Sequence, residues 1–448
     1  MKKRVSTTIA LTLASVLALS ACTGGNNNNG QATTPSATNA SGSATEAPKD
    51  VNLRIIWWGN QDRHDITSQV LDLYSASKPN ITFSPEYQGF DGYYQKLTLL
   101  AASNNMPDIF QFYVGASEAN QFTNKGLVEP LDEYIANGLI DVSNIGESTL
   151  SGGKDKDGKI YGIPLGVNAR AMFVDVAAYE KAGLTIPENG YDTWEAVYED
   201  LKVLKGVTGS YGADDILNSA FTFHYYARQF GQSAYAEGTG IGFDEKVFTD
   251  FFNMRKQWVS EGLMPKMDAT LSVKGPEESF FVKGQSAVLV GYTNQYPSIA
   301  KAAGRDIRMI MLPGPNSDKA MDVRPGLHFS ISSKSENKEE AAQFISYFVN
   351  NVEANMILNA NRGMPISSTV REALSASFEP EMKAVAEYME KVAGHSGPLD
   401  PPVPAGTGEI QALMEDIEQQ IMFDQISPAD GYAKLAKEAA SITADYKE

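Results

Sequence analysis

Alternating and helically spaced apolar residues predict strand–helix units at the start of the main body of the chain. Alternation across Val51–Trp58 predicts a strand that ends at Gly59, followed by a helix that is stopped by Pro79. The same pattern continues with a strand over residues 81–87, a helix over residues 93–103 and a strand over residues 108–112. This β-α-β-α-β order predicts a parallel sheet with helices covering its faces.

Later segments predict more elements of both kinds. Residues 155–164 predict a tight turn that leads into a strand. A capping box at residues 192–195 predicts the start of a helix that ends near Lys205. Further strands are expected over residues 283–291 and 306–312, further helices over residues 246–260 and 338–349, and a mainly helical region over residues 369–446. The predicted fold class is therefore α/β.

The N-terminus has the pattern of a secretion signal. Three basic residues precede an uncharged and mostly apolar stretch over residues 9–19, which is too short to span a bilayer comfortably. The stretch ends in Leu19-Ser20-Ala21-Cys22, which resembles the lipobox of bacterial lipoproteins. This resemblance implies a signal peptide over residues 1–21 and acyl chains on Cys22. Several acyl chains together give stable anchoring, so we expect attachment to the extracytoplasmic face of the membrane.

The segment after Cys22 differs in composition from the rest of the chain. Residues 23–49 contain no aromatic residue and no Val, Ile, Leu or Met. Such a segment cannot repay the entropy of becoming ordered, so we expect residues 22–49 to form a flexible linker.

Charge and composition exclude several classes of protein. The 448 residues include 37 Lys and Arg against 55 Asp and Glu, giving a net charge of −18. This acidity disfavours nucleic-acid binding, which needs a basic surface. One Cys and four His exclude an intrachain disulfide and the common Cys-rich and HExxH metal motifs. We therefore expect no metal and no cofactor.

Several motifs occur in an order that resembles a known family. They are Trp57-Trp58-Gly59 at the end of the first strand, residues 157–164 (DGKIYGIP), residues 283–287 (KGQSA) and residues 332–342 (SSKSENKEEAA), all after a lipobox and polar linker. Together they resemble the family 1 extracellular solute-binding proteins of ABC importers, in the carbohydrate-binding group that is similar to maltose-binding protein. The resemblance covers residues 51–448.

The resemblance implies a two-lobed fold with a ligand cleft between the lobes. Each lobe is expected to hold a mainly parallel sheet flanked by helices. Lobe 1 would contain residues 50–165 and 292–355, and lobe 2 would contain residues 166–291 and 356–448. Crossovers between the lobes are expected near residues 162–170, 290–296 and 359–365. In open parallel sheets, ligands bind outside the carboxyl ends of the strands, which is where the cleft would lie.

A sugar has an apolar face and a rim of hydroxyl groups, so its site needs an aromatic plate beside polar side chains. Trp58 can provide the plate, and the hydroxyl partners would be Asn60, Gln61, Asp62 and Arg63, directly after the first strand. The alternative is that Trp58 is a core residue and that the polar residues cap the next helix. Because neighbouring strand residues point to opposite faces, we expect only one of Trp57 and Trp58 in the core.

Other candidate ligand contacts lie at later strand ends and at the crossovers. They are Tyr87, Asp91, Tyr93, Gln111, Tyr113, Asn168, Arg170, Tyr225, Tyr292, Asn294, Gln295, Arg324, Gly326, His328 and Arg362. Several have a purely structural alternative: loop packing for the aromatic residues 87–94, core packing for residues 224–228, a helix cap for Asn294 and a plain loop role for Arg362. If an arginine reaches the ligand, an acidic sugar is an alternative to a neutral one.

The resulting functional hypothesis is a receptor that binds a mono- or oligosaccharide and delivers it to the permease of an ABC importer. Binding would favour a closed arrangement of the lobes, without any reaction. We expect a monomer. A binding protein for a peptide or amino acid is one alternative, and a secreted glycoside hydrolase with a pair of carboxylates is another.

Overall fold

A computed structural model describes residues 49–90, 92–114, 117–155, 157–236, 238–400, 403–404 and 406–446. Cys22, the predicted signal peptide, linker residues 22–48 and Asp91 lie outside the described residues. Among the described residues, no helix combines the length and apolar character that a membrane span requires.

The described residues form seven strands. They are β1 (Val51–Trp58), β2 (Ile81–Gln88), β3 (Ile109–Phe112), β4 (Ile163–Asp175), β5 (Val288–Tyr292), β6 (Ile307–Ile310) and β7 (Val323–Ile331).

Eighteen α-helices surround these strands in the part of the chain that the structure describes. They are α1 (Gln61–Ser77), α2 (Tyr93–Ala102), α3 (Ser117–Asn124), α4 (Asp132–Ala136), α5 (Glu147–Ser151), α6 (Val176–Ala182), α7 (Trp194–Thr208), α8 (His224–Gln229), α9 (Glu245–Ser260), α10 (Met267–Leu271), α11 (Tyr296–Ala303), α12 (Ser317–Ala320), α13 (Lys338–Asn350), α14 (Val352–Leu358), α15 (Ser368–Ser375), α16 (Pro380–Ala393), α17 (Thr407–Met422) and α18 (Pro428–Asp445).

The predicted parallel arrangement is confirmed for the first three strands. β1 pairs in parallel with β2 from Val51 opposite Ile81, and with β3 from Ile55 opposite Ile109. The strand order is β2-β1-β3-β7-β4-β5, and β6 also pairs with β4. All pairings that involve β4 or β7 are antiparallel, so the expected mainly parallel sheet is met only among β1, β2 and β3. β7 runs opposite to both β3 and β4, and β4 in turn runs opposite to β5 and β6.

β4 changes its pairing partners halfway along its length. Its residues 163–169 pair with β7, whereas residues 170–175 pair with β5 and β6. The loop around Arg362 packs on β4 in the same region, where Val167 and Met364 exchange two backbone hydrogen bonds of 2.9 Å. Gly363 permits this close approach, because a Cβ there would lie 2.7 Å from Asn168 Nδ2 and its φ is +112°. One strand thus belongs to two sets of strands.

Local sequence explains where the helices around this framework begin. The predicted start of α7 is confirmed, but its cap is Thr193 and not a capping box over residues 192–195: the Thr193 hydroxyl accepts a hydrogen bond of 3.1 Å from the backbone N–H of Ala196. The aromatic stretch after Asn218 begins with a single π-helical turn, Ser219–Phe223, before α8 continues it. π-helical turns are rare in proteins, and those that occur are often found at functional sites.

Candidate functional site

A cavity of about 780 Å³ opens beside the carboxyl ends of β1, β2 and β3. Arg63, Phe90 and Tyr113 follow these three strands and line one side of it. Residues of β4, β5 and β7, with the loops after β5 and around Arg362, contribute further lining: Asn168, Arg170, Tyr292, Asn294, Arg324, Gly326, Leu327 and Arg362. The position agrees with the general rule for open α/β sheets.

The remaining wall comes from two segments that are far apart in the sequence. One runs from the π-helical turn into α8 and through the loop before α9, and the other comprises the start of α17 and the loop before it. Their lining residues are Ser219, Ala220, Phe223, His224, Ala234, Tyr235, Ile241, Phe243, Val403, Thr407, Gly408, Ile410, Gln411, Ala412, Met414 and Glu415.

Aromatic rings provide apolar surface inside the cavity. Phe90 is 58% exposed, and the half-buried rings of Tyr113, Tyr235 and Tyr292 also line it. The ring of Tyr292 is held by an edge-to-face contact with Phe221, at 4.8 Å between centroids. Ring faces of this kind stack against the apolar faces of flat or cyclic ligands.

Trp58 does not line the cavity, contrary to the prediction that it forms the aromatic plate. It is 8% exposed and packs edge-on against Tyr93 at 4.8 Å and against Phe90 at 5.6 Å. Trp57 is fully buried on the other face, where its indole N–H donates to His64 Nδ1 at 3.1 Å. Both tryptophans are therefore core residues, because helices cover both faces of the sheet. Phe90 occupies the position at the cavity surface.

A buried ion-pair cluster forms the floor beside β4 and β7. Arg170 donates through Nη1 to Asp322 Oδ1 at 2.8 Å, and Arg324 donates to Asp322 Oδ2 through Nε at 3.0 Å and through Nη2. Burial would raise the pKa of Asp322, but Arg170 and Arg324 outweigh it and hold that pKa well below its usual range. A single carboxylate thus remains ionised between two guanidinium groups.

Arg63 and Arg362 lie near each other and bind neutral groups. Arg63 donates to the side chain and the backbone carbonyl of Asn361, at 2.7 and 3.1 Å. Arg362 donates to Gln111 Oε1 at 3.1 Å and to Thr67 Oγ1 at 2.9 Å. Burial lowers the pKa of Arg362, and the positive charge of Arg63 lowers it further.

His224 lies at the cavity wall in a second charged cluster. Its Nε2 contacts a carboxylate oxygen of Asp400, whose other oxygen contacts Arg228. Burial lowers the pKa of His224, although Asp400 opposes this effect. Arg228 also donates to the backbone carbonyl of Ala320 at 2.9 Å, so this cluster fixes the wall rather than leaving donors free.

Of the residues predicted to bind ligand, nine line the cavity: Arg63, Tyr113, Asn168, Arg170, Tyr292, Asn294, Arg324, Gly326 and Arg362. Four other predicted residues lie on the surface outside it. Asn60 caps α1, Gln61 donates to Asp65, Asp62 accepts from Asn361, and Tyr87 stacks on His64 with centroids 4.3 Å apart. The capping alternative therefore holds for Asn60.

Five further predicted residues do not line the cavity. Tyr93, Gln111, Tyr225 and His328 are fully or almost fully buried, and Gln295 accepts the backbone N–H of Tyr292 at 2.8 Å. Three of them donate to backbone carbonyls: Tyr93 to that of Gln111, Gln111 to that of Trp58 and Tyr225 to that of Leu312. Both ring nitrogens of His328 are buried without a hydrogen-bond partner among the described residues. Burial lowers the pKa of His328 to about 4. Burial by neighbouring elements is the reason that Tyr93, Gln111, Tyr225 and His328 do not line the cavity.

The sequence-based interpretation missed the wall formed by residues 219–243 and 403–415. Two signals in the sequence were available. Residues 238–242 form a Gly-rich segment that leads into Phe243, and Pro-rich residues precede α17. Neither signal shows that two segments about 170 residues apart meet at one cavity.

Comparison with known proteins places the chain in a family. The model of the bacterial extracellular solute-binding proteins matches residues 60–354, and the chain belongs to this family. A binding protein of Brucella abortus is 24% identical over 226 residues, which are 50% of this chain and 53% of that protein, so the match spans about half of the relative's length. The diacetylchitobiose binding protein of Streptomyces coelicolor is 24% identical over 74% of this chain and 75% of its own.

Solved structures show the same fold. A family 1 extracellular solute-binding protein from Alicyclobacillus acidocaldarius has a TM-score of 0.73 and 27% identity, covering 89% of this chain and 100% of that one. The periplasmic oligogalacturonide binding protein of Yersinia enterocolitica, in complex with saturated digalacturonic acid, has a TM-score of 0.71 and 22% identity, covering 88% and 99%. The chain therefore has the predicted two-lobed α/β fold of periplasmic binding proteins.

Proposed function

We propose that the protein is a receptor that binds a sugar or oligosaccharide in this cavity and delivers it to the permease of an ABC importer. The observation that carries the proposal is the lining itself. Aromatic surface at Phe90, Tyr113 and Tyr292 lies beside polar groups at Asn168 and Asn294, which is the combination that a saccharide requires. Relatives that bind diacetylchitobiose, maltotriose and oligogalacturonides support the choice of a carbohydrate.

The proposal includes two lobes with the limits given by the sequence: residues 50–165 with 292–355, and residues 166–291 with 356–448. The switch of β4 between two sets of strands near Arg170 supports a boundary in this region, whereas β6, inside residues 292–355, pairs with residues 172–175 of β4 and so lies with the strands of lobe 2. A ligand that contacts both sides of the cavity would favour the closed arrangement, since it binds that arrangement more tightly.

The proposed function is binding without a chemical change. Among the described residues, the cavity is lined by only one carboxylate, Glu415. Glycoside hydrolysis uses two carboxyl groups on either side of the scissile bond. A single carboxylate therefore supports a receptor over a hydrolase.

We also propose that the mature protein begins at a lipidated Cys22 and is held as a monomer on the extracytoplasmic face of the membrane. The lipobox-like sequence before Cys22 and the polar composition of residues 23–49 support this part of the proposal. The family's extracellular character agrees with it.

Calorimetric titration with a panel of neutral and acidic mono- and oligosaccharides tests the proposed function. We expect saturable binding and a raised melting temperature for at least one sugar. The variant Phe90→Ala should weaken this binding about five- to tenfold, because it removes a stacking surface. Tyr87→Ala is the matched control, since Tyr87 is 45% exposed but lies outside the cavity, and it should change affinity less than twofold. No heat and no thermal shift with any sugar would refute the proposal.

A further inference from the structure

The lining of the cavity contains more basic than acidic side chains, although the protein as a whole is acidic. Four arginines line it, while Glu415 is the single carboxylate in its lining within the described part of the chain. The net charge of the whole chain is −18. A local field opposite to the overall charge points to a ligand that is itself negative.

Arg324 shares Asp322 with Arg170, and Asp400 is a further carboxylate near enough for Arg324 to lower its pKa. Asp322 serves both Arg170 and Arg324, so one carboxylate faces two guanidinium groups. The side chain of Arg170 is only 2% exposed, whereas that of Arg324 is 20% exposed and lines the cavity. Arg324 uses Nε and Nη2 for Asp322, and its Nη1 has no hydrogen-bond partner among the described residues. This nitrogen is a free donor of a charged group.

Arg63 and Arg362 form a second positive position in the lining. Within the described residues, neither has a carboxylate oxygen within 4 Å of its guanidinium nitrogens, although Asp62 lies near enough to raise the pKa of Arg63 against the effect of burial. Nη1 of Arg362 is buried without a hydrogen-bond partner in this part of the chain. Two neighbouring cations that bind only amide, hydroxyl and carbonyl groups repel each other, and a bound anion would remove that repulsion.

We propose that the ligand is an acidic saccharide, with one anionic group bound by Arg324 and a second positive position at Arg63 and Arg362. This inference rests on the proposed sugar-binding function and narrows its ligand class. Guanidinium groups bind carboxylates and phosphates through paired hydrogen bonds, so the shared chemistry is an anionic group on a sugar. Tyr113 and Tyr292 line the same cavity as Arg324, and their rings would hold the sugar ring beside that group.

The test compares acidic and neutral sugars of equal size on the full chain by calorimetry. Galacturonate, glucuronate and their di- and trimers are titrated against galactose, glucose and the corresponding neutral oligomers. Galactose 6-sulfate and galactose 6-phosphate form a third arm, which separates carboxylates from other anions. We expect acids to bind at least tenfold more tightly than their neutral counterparts, and this preference should shrink at 500 mM NaCl because salt screens the interaction.

Variants connect the preference to the arginines. Arg324→Gln should reduce affinity for the preferred acid about 10- to 100-fold, a larger loss than it causes for the neutral counterpart of that acid. Arg324→Lys keeps the charge without the paired donors and should give a smaller loss. The matched control is Arg54→Gln, which removes a partly exposed arginine of β1 that pairs with Glu86 outside the cavity and should leave affinity unchanged.

The outcomes separate this inference from the proposed function. Neutral sugars that bind as tightly as acids, or an acid preference that Arg324→Gln does not reduce, would overturn the acidic-ligand inference and leave the sugar receptor intact. A complete lack of binding by every sugar would refute both. If Arg324→Gln fails to fold, Arg324→Lys and the salt dependence of the wild-type protein decide the question.

Discussion

His328 is a buried histidine in the middle of β7, with its ring parallel to that of Tyr113. Burial lowers its pKa from 6.5 to about 4, so the folded protein favours the neutral ring. The unfolded chain takes up a proton near pH 6.5, whereas the folded protein does so only near pH 4. The contribution of His328 to the free energy of unfolding is therefore fully present above pH 6.5. It is lost as the pH falls towards 4, by up to about 3 kcal/mol.

Urea unfolding between pH 7.5 and pH 4.5 checks this prediction. His328→Asn should flatten the loss of stability on acidification, and any slope that remains comes from other groups such as His224, whose pKa is also lowered by burial. His395→Asn changes an exposed histidine and should keep the wild-type slope. An identical slope in wild type and His328→Asn would show that His328 does not titrate as expected.

At the scale of single residues, the sequence predicted the chemistry of the cavity better than the direction of each side chain. Arg324, Tyr292 and Asn168 line the cavity because they lie at positions where strands end or change partners. The prediction that Trp58 forms the aromatic plate failed, because strand alternation shows only that Trp57 and Trp58 point to opposite faces of the sheet. Here both faces of β1 are covered. Whether a face of β1 is covered depends on where α1 and α2 pack, and the sequence of β1 alone does not determine that.

At the scale of elements, α7 depends on a cap that can be removed alone. The Thr193 hydroxyl accepts the N–H of Ala196, and the replacement Thr193→Ala leaves that donor to water. We expect a loss of about 1 kcal/mol in the free energy of unfolding, with sugar affinity unchanged because α7 does not line the cavity. Denaturant titration measures the change.

Thr249→Ala provides the control for this prediction. Thr249 lies inside α9 and bonds the carbonyl of Glu245 within the same helix, where alanine is the better helix former. It should be neutral or slightly stabilising. A loss as large as that of Thr193→Ala would mean that the hydroxyl, rather than its capping position, determines the effect.

Most elements could be predicted from the pattern of the chain, but their pairing could not. β1, α1, β2, α2 and β3 appear within a few residues of the expected limits, since each is a short periodic segment with a clear stop. The partners of β4 depend on residues more than 100 positions away. The joining of residues 219–243 with 403–415 at the cavity is a contact of the same long range and leaves no periodic signal.

At the scale of the whole molecule, the proposed lipidation of Cys22 predicts where the protein is found in the cell. Cys22→Ser removes the thiol that would carry an acyl chain, so the protein should move from the membrane fraction to the soluble extracytoplasmic fraction. Immunoblotting of the fractions measures this, and sugar affinity of the released protein should be unchanged.

The control for this experiment is a serine replacement outside the lipobox, Thr23→Ser, which should remain with the membrane. A Cys22→Ser protein that still sediments with membranes would argue against the lipid anchor. It would leave the binding function untouched, because the cavity lining in the described part of the chain begins at Arg63.

Because β4 pairs with two different sets of strands, it limits where the chain can be divided into fragments. Residues 163–169 complete one set of strands and residues 170–175 complete another, with no break in the backbone between them. A fragment that ends before β4, or one that starts after it, would expose a bare row of amides and carbonyls along its border. We therefore expect neither fragment to fold as a soluble, independent unit. A split protein or an inserted reporter has to leave the thirteen residues of β4 uninterrupted and use an exposed turn, such as that around Gly158.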